Sequence, residues 1–287
     1  MTTHPAPSAA GRAHRATDPL HSLIYFVPEA EQEYTAIGLR PGRMGYFASR
    51  SAPMGAVSAG VTAATFYNFN PEVVARVIPR AWTLASPENI IAARFRVADL
   101  ALRRLLGDVV DAPEVEEAAN LAREATVGLA PEGRALFAAH AGLSWPELPH
   151  LALWHAVSLL REYRGDGHLI ALQMAGLSGI ESIVTHTATG YGFLEGPAKL
   201  LRGWSDEQWA AAVDDLRARG LMDADGLTTE GVSLRERVEA DTDRLDAAPW
   251  QRLGPDRTAR LIELGKGLSR VVSGNGAFPA GVFAARR

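Results

Sequence analysis

The sequence predicts a mainly α-helical fold, with a helical layer in the N-terminal half and a C-terminal region carrying one small two-stranded hairpin. Three observations point to it. Apolar residues recur at three- and four-residue steps through most of the chain. Asparagine or serine followed by proline sits where those patterns begin. Only residues 221–229 read as paired strands.

Composition narrows the classes. The chain has 287 residues, 47% hydrophobic and 22% charged, enough to bury one large core or two modest ones. A net charge of −4 supplies no global field toward phosphates or anionic lipid. There are no cysteines, which removes disulfides, thiolate nucleophiles and cysteine-based metal sites and fits the cytoplasm. No apolar run reaches the roughly 18 residues that span a bilayer. Residues 1–19 are rich in Ala, Pro, His and Thr and read as a flexible tail rather than a signal peptide.

From residue 20 to 145 the expectation is an ordered, partly extended arm, then a helical region. Glycine and proline break up residues 20–60, with a first helix near Val57–Phe66. Asn70-Pro71 opens a helix that Pro79 ends, and Ser86-Pro87 opens the next. That helix places Ile90, Ile91, Phe95, Ala98, Leu102 and Leu105 on one face and stops at Gly107. Helices from Pro113 to Thr126 and from Pro131 to Ala141 follow.

Residues 146–274 form the second region, and residues 275–287 read as a tail. Leu151, Trp154, Val157 and Leu160 mark a helix ending at Gly165. After a turn at Arg164-Gly165-Asp166-Gly167-His168, a short helix runs from Leu169 to Ala175. Ser178 with Glu181, and Ser205 with Gln208, form capping boxes for two more helices, joined by a glycine-rich link. An Asp-Gly turn makes the hairpin, and helices Val232–Leu245 and Pro255–Val272 close the region.

This order, with "LRARGLMDADGLTTEGVSLRERVE" at its centre, resembles the end of the reader helix, the wing and the following helix in the MarR family of winged-helix proteins. The likeness runs from about Leu151 to Leu245; an insertion between Leu177 and Trp204 and a very short wing depart from the pattern. Over more of the chain, "ASRSAPMG", "ATFYNFNPEVV", "IPRAW", "LWHAVSLLREYRGDGHLIAL" and "RGWSDEQW" resemble a family of actinobacterial SalK-like helix-turn-helix proteins. That resemblance implies a DNA-binding ancestry and a link to specialised metabolism.

The charges argue against DNA reading. The reader helix, Ser205 to Arg217, carries Asp206, Glu207, Asp214 and Asp215 against one Arg217, and the wing turn holds Asp223 and Asp225. Phosphate contacts need the opposite sign. The earlier helix, Gly179 to Ala188, has no Arg or Lys. DNA is therefore not the expected partner, and a ligand-responsive DNA-binding regulator is the alternative reading.

The densest polar run is Arg161 to His168. Tight turning at Gly165 and Gly167 would bring Asp166 to His168 as the pair a general base needs, or Asp166 would cap a helix starting at Gly167. Arg161, Arg164, His155, His186, Trp154 and Tyr67 are the candidate ligand-binding residues. The histidine spacings match no metal site, no cofactor motif occurs, and hydrolase and nucleotide-binding signatures are absent. Tyr46, Phe47, Phe66, Tyr67, Phe69, Trp82, Trp145 and Trp154 suggest the walls of an apolar pocket. The expectation is a cytoplasmic winged-helix protein, a homodimer or an intramolecular pseudo-dimer with the helical N-terminal half. It takes up an apolar or aromatic small molecule as a binding protein or as an enzyme acting on it, with a structural partner-binding module as a further alternative.

Overall fold

Helix begins far earlier than expected. In the computed structural model, which describes residues 8–284, Ser8 accepts a hydrogen bond from the Gly11 amide and caps α1 (Ala9–Ser22). The expected tail is therefore helical from Ala9, while residues 1–7 lie outside the described residues. The reason is size. Ala10, Ala13, Ala16, Thr17 and Leu20 are buried, and their small side chains let α1 lie flush on α15 (Pro255–Gly274). Ser269 Oγ donates to the Ala16 carbonyl at 2.7 Å, and a Cβ on Gly265 would stand 3.1 Å from that oxygen. A helix that packs through alanine and glycine shows no large apolar stripe.

The expected extended arm is helical too. Pro28 sits in the first turn of α2 (Pro28–Ala36), and α3 (Arg43–Ser51) crosses it where Gly45 meets the Tyr34 ring. A Cβ on Gly45 would lie 2.5 Å from that ring, so glycine permits the crossing. α4 (Ala59–Phe66), α5 (Pro71–Ala75), α6 (Pro87–Leu106) and α7 (Pro113–Ala125) follow close to the expected positions. Asn70 and Ser86 accept from the amides of Glu72 and Asn89, as capping residues should. α8 (Ala135–Ala141) starts later than Pro131.

The largest departure is α9 (Pro149–Met174), one helix of 26 residues where a helix, a turn and a short helix were expected. Gly165 and Gly167 lie within it. Gly167 serves packing: a Cβ there would come 2.9 Å from Arg134 Nη1 and 3.2 Å from the Leu245 side chain. Each internal glycine costs about 1 kcal/mol against alanine. Burial around α9 outweighs that, with Leu153, Trp154, Val157, Leu160, Tyr163 and Leu172 all nearly inaccessible.

α10 (Gly179–Ala188) and α12 (Asp206–Ala218) begin with the two capping boxes, and both are complete. Between them the supposed glycine-rich link contains α11 (Glu195–Arg202). α13 (Thr229–Leu245) and α14 (Ala247–Leu253) lead to α15. The two-stranded wing is not formed. Met222 and Leu227 make one isolated antiparallel bridge, and no longer ladder occurs among the described residues. The segment is too short for more: the Asp223 amide donates to Gly226 O, the Asp225 amide to Asp223 Oδ1, and the Thr228 amide already returns to Leu221 O.

Two cores result. The first unites α1 to α7, the front half of α9, α14 and α15; the second gathers Ala171 and Leu172 of α9 with α10, α11, α12 and α13. So α14 and α15 pack with the N-terminal half, although they follow α10 to α13 in sequence. The segment after α15 is no free tail either. Phe283 bridges to Phe193, the Leu194 amide donates to Val282 O, and the Ala284 amide donates to Gly192 O. Among the described residues no single helix is long and apolar enough to cross a membrane.

Candidate functional site

A cavity of about 1910 Å³ opens between the two cores. Its walls are α1 (His14, Asp18), α9 (Arg161, His168), α10 (Ile183, His186), the end of α11 (Arg202) and α13 (Arg235, Thr242). Tyr46, Phe66, Phe69 and Phe193 supply an aromatic side. A second cavity of about 460 Å³, bordered by Tyr25, Phe26, Tyr34 and Phe47, shares Tyr46, Phe69, Phe193 and Arg202 with the first.

The predicted Asp166–His168 pair does not form. Two residues apart on a continuous helix, the side chains point about 200° apart around its axis. Asp166 faces α8, where Oδ2 accepts from the Phe137 amide at 2.9 Å and caps that helix from a distance. Burial pushes its carboxyl up to about 6, against that hydrogen bond, and it does not line the cavity. His168 does line it. Its Nδ1 meets Thr242 Oγ1 at 2.8 Å, and that hydroxyl already donates to Val238 O. Nδ1 therefore carries the proton, and Nε2 keeps its lone pair. Burial, with Arg235 nearby, holds His168 neutral.

The other predicted residues divide. Arg161 and His186 line the cavity, Arg161 donating through Nε to Asp18 at 2.9 Å. Arg164 reaches it but is an α9–α13 staple, paired with Asp243 at 2.7 Å and Asp246 at 3.4 Å. Trp154, His155 and Tyr67 are not cavity residues. Trp154 is core, its Nε1 donating to His21 O, and Arg94 lies over its ring. His155 is wedged edge-on against Trp145, lowered to about 3 by burial, and its Nε2 has no partner. Tyr67 donates its hydroxyl to Leu177 O at 2.5 Å and ties the end of α4 to the start of α10.

Several residues were missed. Arg50 grips Glu162 with two bonds, Nε at 2.8 Å and Nη2 at 2.6 Å, and Glu162 is fully buried. Beside them runs a buried relay. Arg94 donates to Tyr25, Tyr25 to His21 Nε2, His21 Nδ1 to Ser158, and Ser158 to Trp154 O. Arg202 lies over Phe69 at 4.4 Å and Phe193 at 4.8 Å. Arg235 is 4% exposed, within 3.5 Å of His186 Nδ1 and 3.0 Å of Glu239. A signal for Arg235 was present: Gly231, Leu234, Arg235, Val238 and Thr242 follow the core-facing period of α13. An arginine on that stripe is out of place unless it has a buried task.

The helix-turn-helix face keeps the predicted charge. On α12, Trp209, Ala212 and Leu216 turn inward, and Asp206, Glu207, Asp214 and Asp215 are exposed. Nearby cations are engaged: Lys199 with Asp206 and Glu195, Arg217 with Asp214, Arg219 with Glu181. On α10 the Thr185 and Thr187 hydroxyls turn back to carbonyls of their own helix.

A family model described as a helix-turn-helix family matches residues 10–279, so the chain belongs to that family. The match takes in α1 and α15 as well as α10 to α12, so the family unit is the whole two-core assembly. No curated protein and no solved structure matches the chain.

Proposed function

We propose that this member of the helix-turn-helix family binds an apolar or aromatic small molecule in the cavity between its two cores, in specialised metabolism, with DNA reading lost. The observation that carries the reading is the aromatic wall. Tyr46, Phe69 and Phe193 border both cavities and Phe66 the larger one, an aromatic lining of the kind from which small-molecule sites are commonly built. The polar groups facing them, Arg161, His168 and His186, replace the Asp166–His168 pair as candidate anchors.

The test uses N-phenyl-1-naphthylamine, a neutral aromatic probe that fluoresces when taken out of water. The full chain should bind it saturably, and Phe69→Ala should weaken binding several-fold while the protein stays folded. Absence of saturable binding sinks the proposal.

The second reading, a ligand-responsive DNA-binding regulator, is favoured by the exposed outer face of α12 on the second core. Its four carboxylates oppose it, since phosphate neutralisation needs cations. Fluorescence anisotropy with duplex DNA decides: affinity falling steeply with added salt supports the regulator.

A further inference from the structure

Arg235, which is buried, and Arg202, which is half-buried, carry more positive charge than their neighbours neutralise. Among the described residues no carboxylate pairs with Arg202; its guanidinium has only the faces of Phe69 and Phe193, and its buried Nε has no hydrogen-bond partner. Arg235 has one carboxylate, Glu239, which is half exposed and also lies 3.6 Å from Arg164. Arg235 Nε and Nη1 are buried and unpartnered. Burying a guanidinium without partners is costly, and buried charges are as a rule paired.

His186 sits between the two arginines. Its Nδ1 approaches Arg235, and its Nε2 packs against Gly192, where a Cβ would come within 2.5 Å. The residue after Gly192 is Phe193, over which Arg202 lies. Both arginines depress the imidazole's proton affinity, after burial, so His186 adds no charge of its own and leaves the excess uncancelled. All three side chains line the same cavity, whose aromatic wall begins at the Arg202 stack.

We infer that this corner is an oxyanion subsite, and that the ligand of the cavity is an aromatic or apolar acid. Its carboxylate, sulfonate or phosphate group lies against Arg202 and Arg235 and its ring against Phe69 and Phe193. A guanidinium held by ring contacts rather than by carboxylates keeps donors for an anion, and its planar fork can meet two oxygens at once. The inference rests on the cavity being a small-molecule site.

The test compares two probes that differ by one group, neutral N-phenyl-1-naphthylamine and its 8-sulfonate, titrated into the full chain at low ionic strength. The sulfonate should bind roughly tenfold tighter or more, as charge-assisted bonds imply. Arg202→Met and Arg235→Met should each abolish most of that preference, lowering affinity for the sulfonate far more than for the neutral probe. Arg202→Lys, which keeps the charge but not the planar fork, should fall between. Arg235→Met should also raise the melting temperature, because it removes an under-compensated buried charge, whereas a purely structural arginine would lower it. Equal affinity of the two probes for the wild-type chain overturns the inference, as does a sulfonate preference that survives both methionine variants. If the neutral probe fails to bind while the sulfonate binds through the arginines, the aromatic-cavity reading fails and the oxyanion subsite stands. If neither binds, both fail.

Discussion

Replacing Asp166 with asparagine should make the protein more stable at pH 8. Asp166 is 4% exposed, and burial raises its carboxyl from 3.8 to about 6. A difference of about two units corresponds to roughly 3 kcal/mol between the protonated and ionised forms. The sign follows from which state holds the proton. Below the unfolded value, about 3.8, both states are protonated and the group is neutral to stability. As pH rises from there to 6, the unfolded chain ionises while the folded one keeps its proton, so stability falls. Above the folded value the whole loss is in place. Asparagine keeps a neutral oxygen for the Phe137 amide and escapes ionisation. The stability difference, Asp166→Asn minus wild type, should therefore grow by up to about 3 kcal/mol between pH 4 and pH 7. Urea unfolding followed by circular dichroism across that range measures it. A difference that does not change with pH, or an asparagine variant less stable at pH 8, refutes the reasoning. Asp166→Ala is the companion: it strands the Phe137 amide and should be about 1–2 kcal/mol less stable than Asp166→Asn at every pH, without altering probe binding.

Glu162→Gln breaks the buried pair with Arg50 and should destabilise by about 3–5 kcal/mol in denaturant titrations. Gly179→Ala would put a Cβ 2.1 Å from Tyr67 O, a backbone atom, and should lower stability by about 1–3 kcal/mol. Gly60→Ala in α4, whose nearest neighbour is 3.8 Å away, should be neutral or slightly stabilising in the same titrations. Gly192→Ala meets both a φ of +73° and the His186 ring, so it should weaken the sulfonate probe more than the neutral one. An equal loss for both probes would place its effect elsewhere.

Local signals were the most legible. Caps at Asn70, Ser86, Ser178 and Ser205 are chemistry within a few residues, and each is made as expected. Gly165 and Gly167 misled because glycine carries two meanings. Between polar residues it reads as a turn, yet here it admits Arg134 and Leu245 against a helix. Nothing near residue 166 announces that the neighbour is α8. The same limit hid α1, whose alanines acquire meaning only beside Gly265. At the site, Arg161, His168 and His186 were legible as polar residues in a suggestive stretch. Arg202 was not, since its ring partners come from residues 69 and 193, and only the fold brings them together.

α9 has one further consequence. At 26 residues it is a girder about 39 Å long, anchored at one end in the first core and at the other in the second. A filled cavity could not swing the cores as a hinge does without breaking the girder's hydrogen bonds. Any message from the cavity to the outer face of α12 must pass through pieces that ride on the girder. These are α10, released or held by Tyr67 at its start, and the Gly190–Gly192 loop at its end, where both glycines have positive φ. The backbone path out of the cavity thus runs through one glycine loop, whose Gly190 and Gly192 line the cavity beside His186.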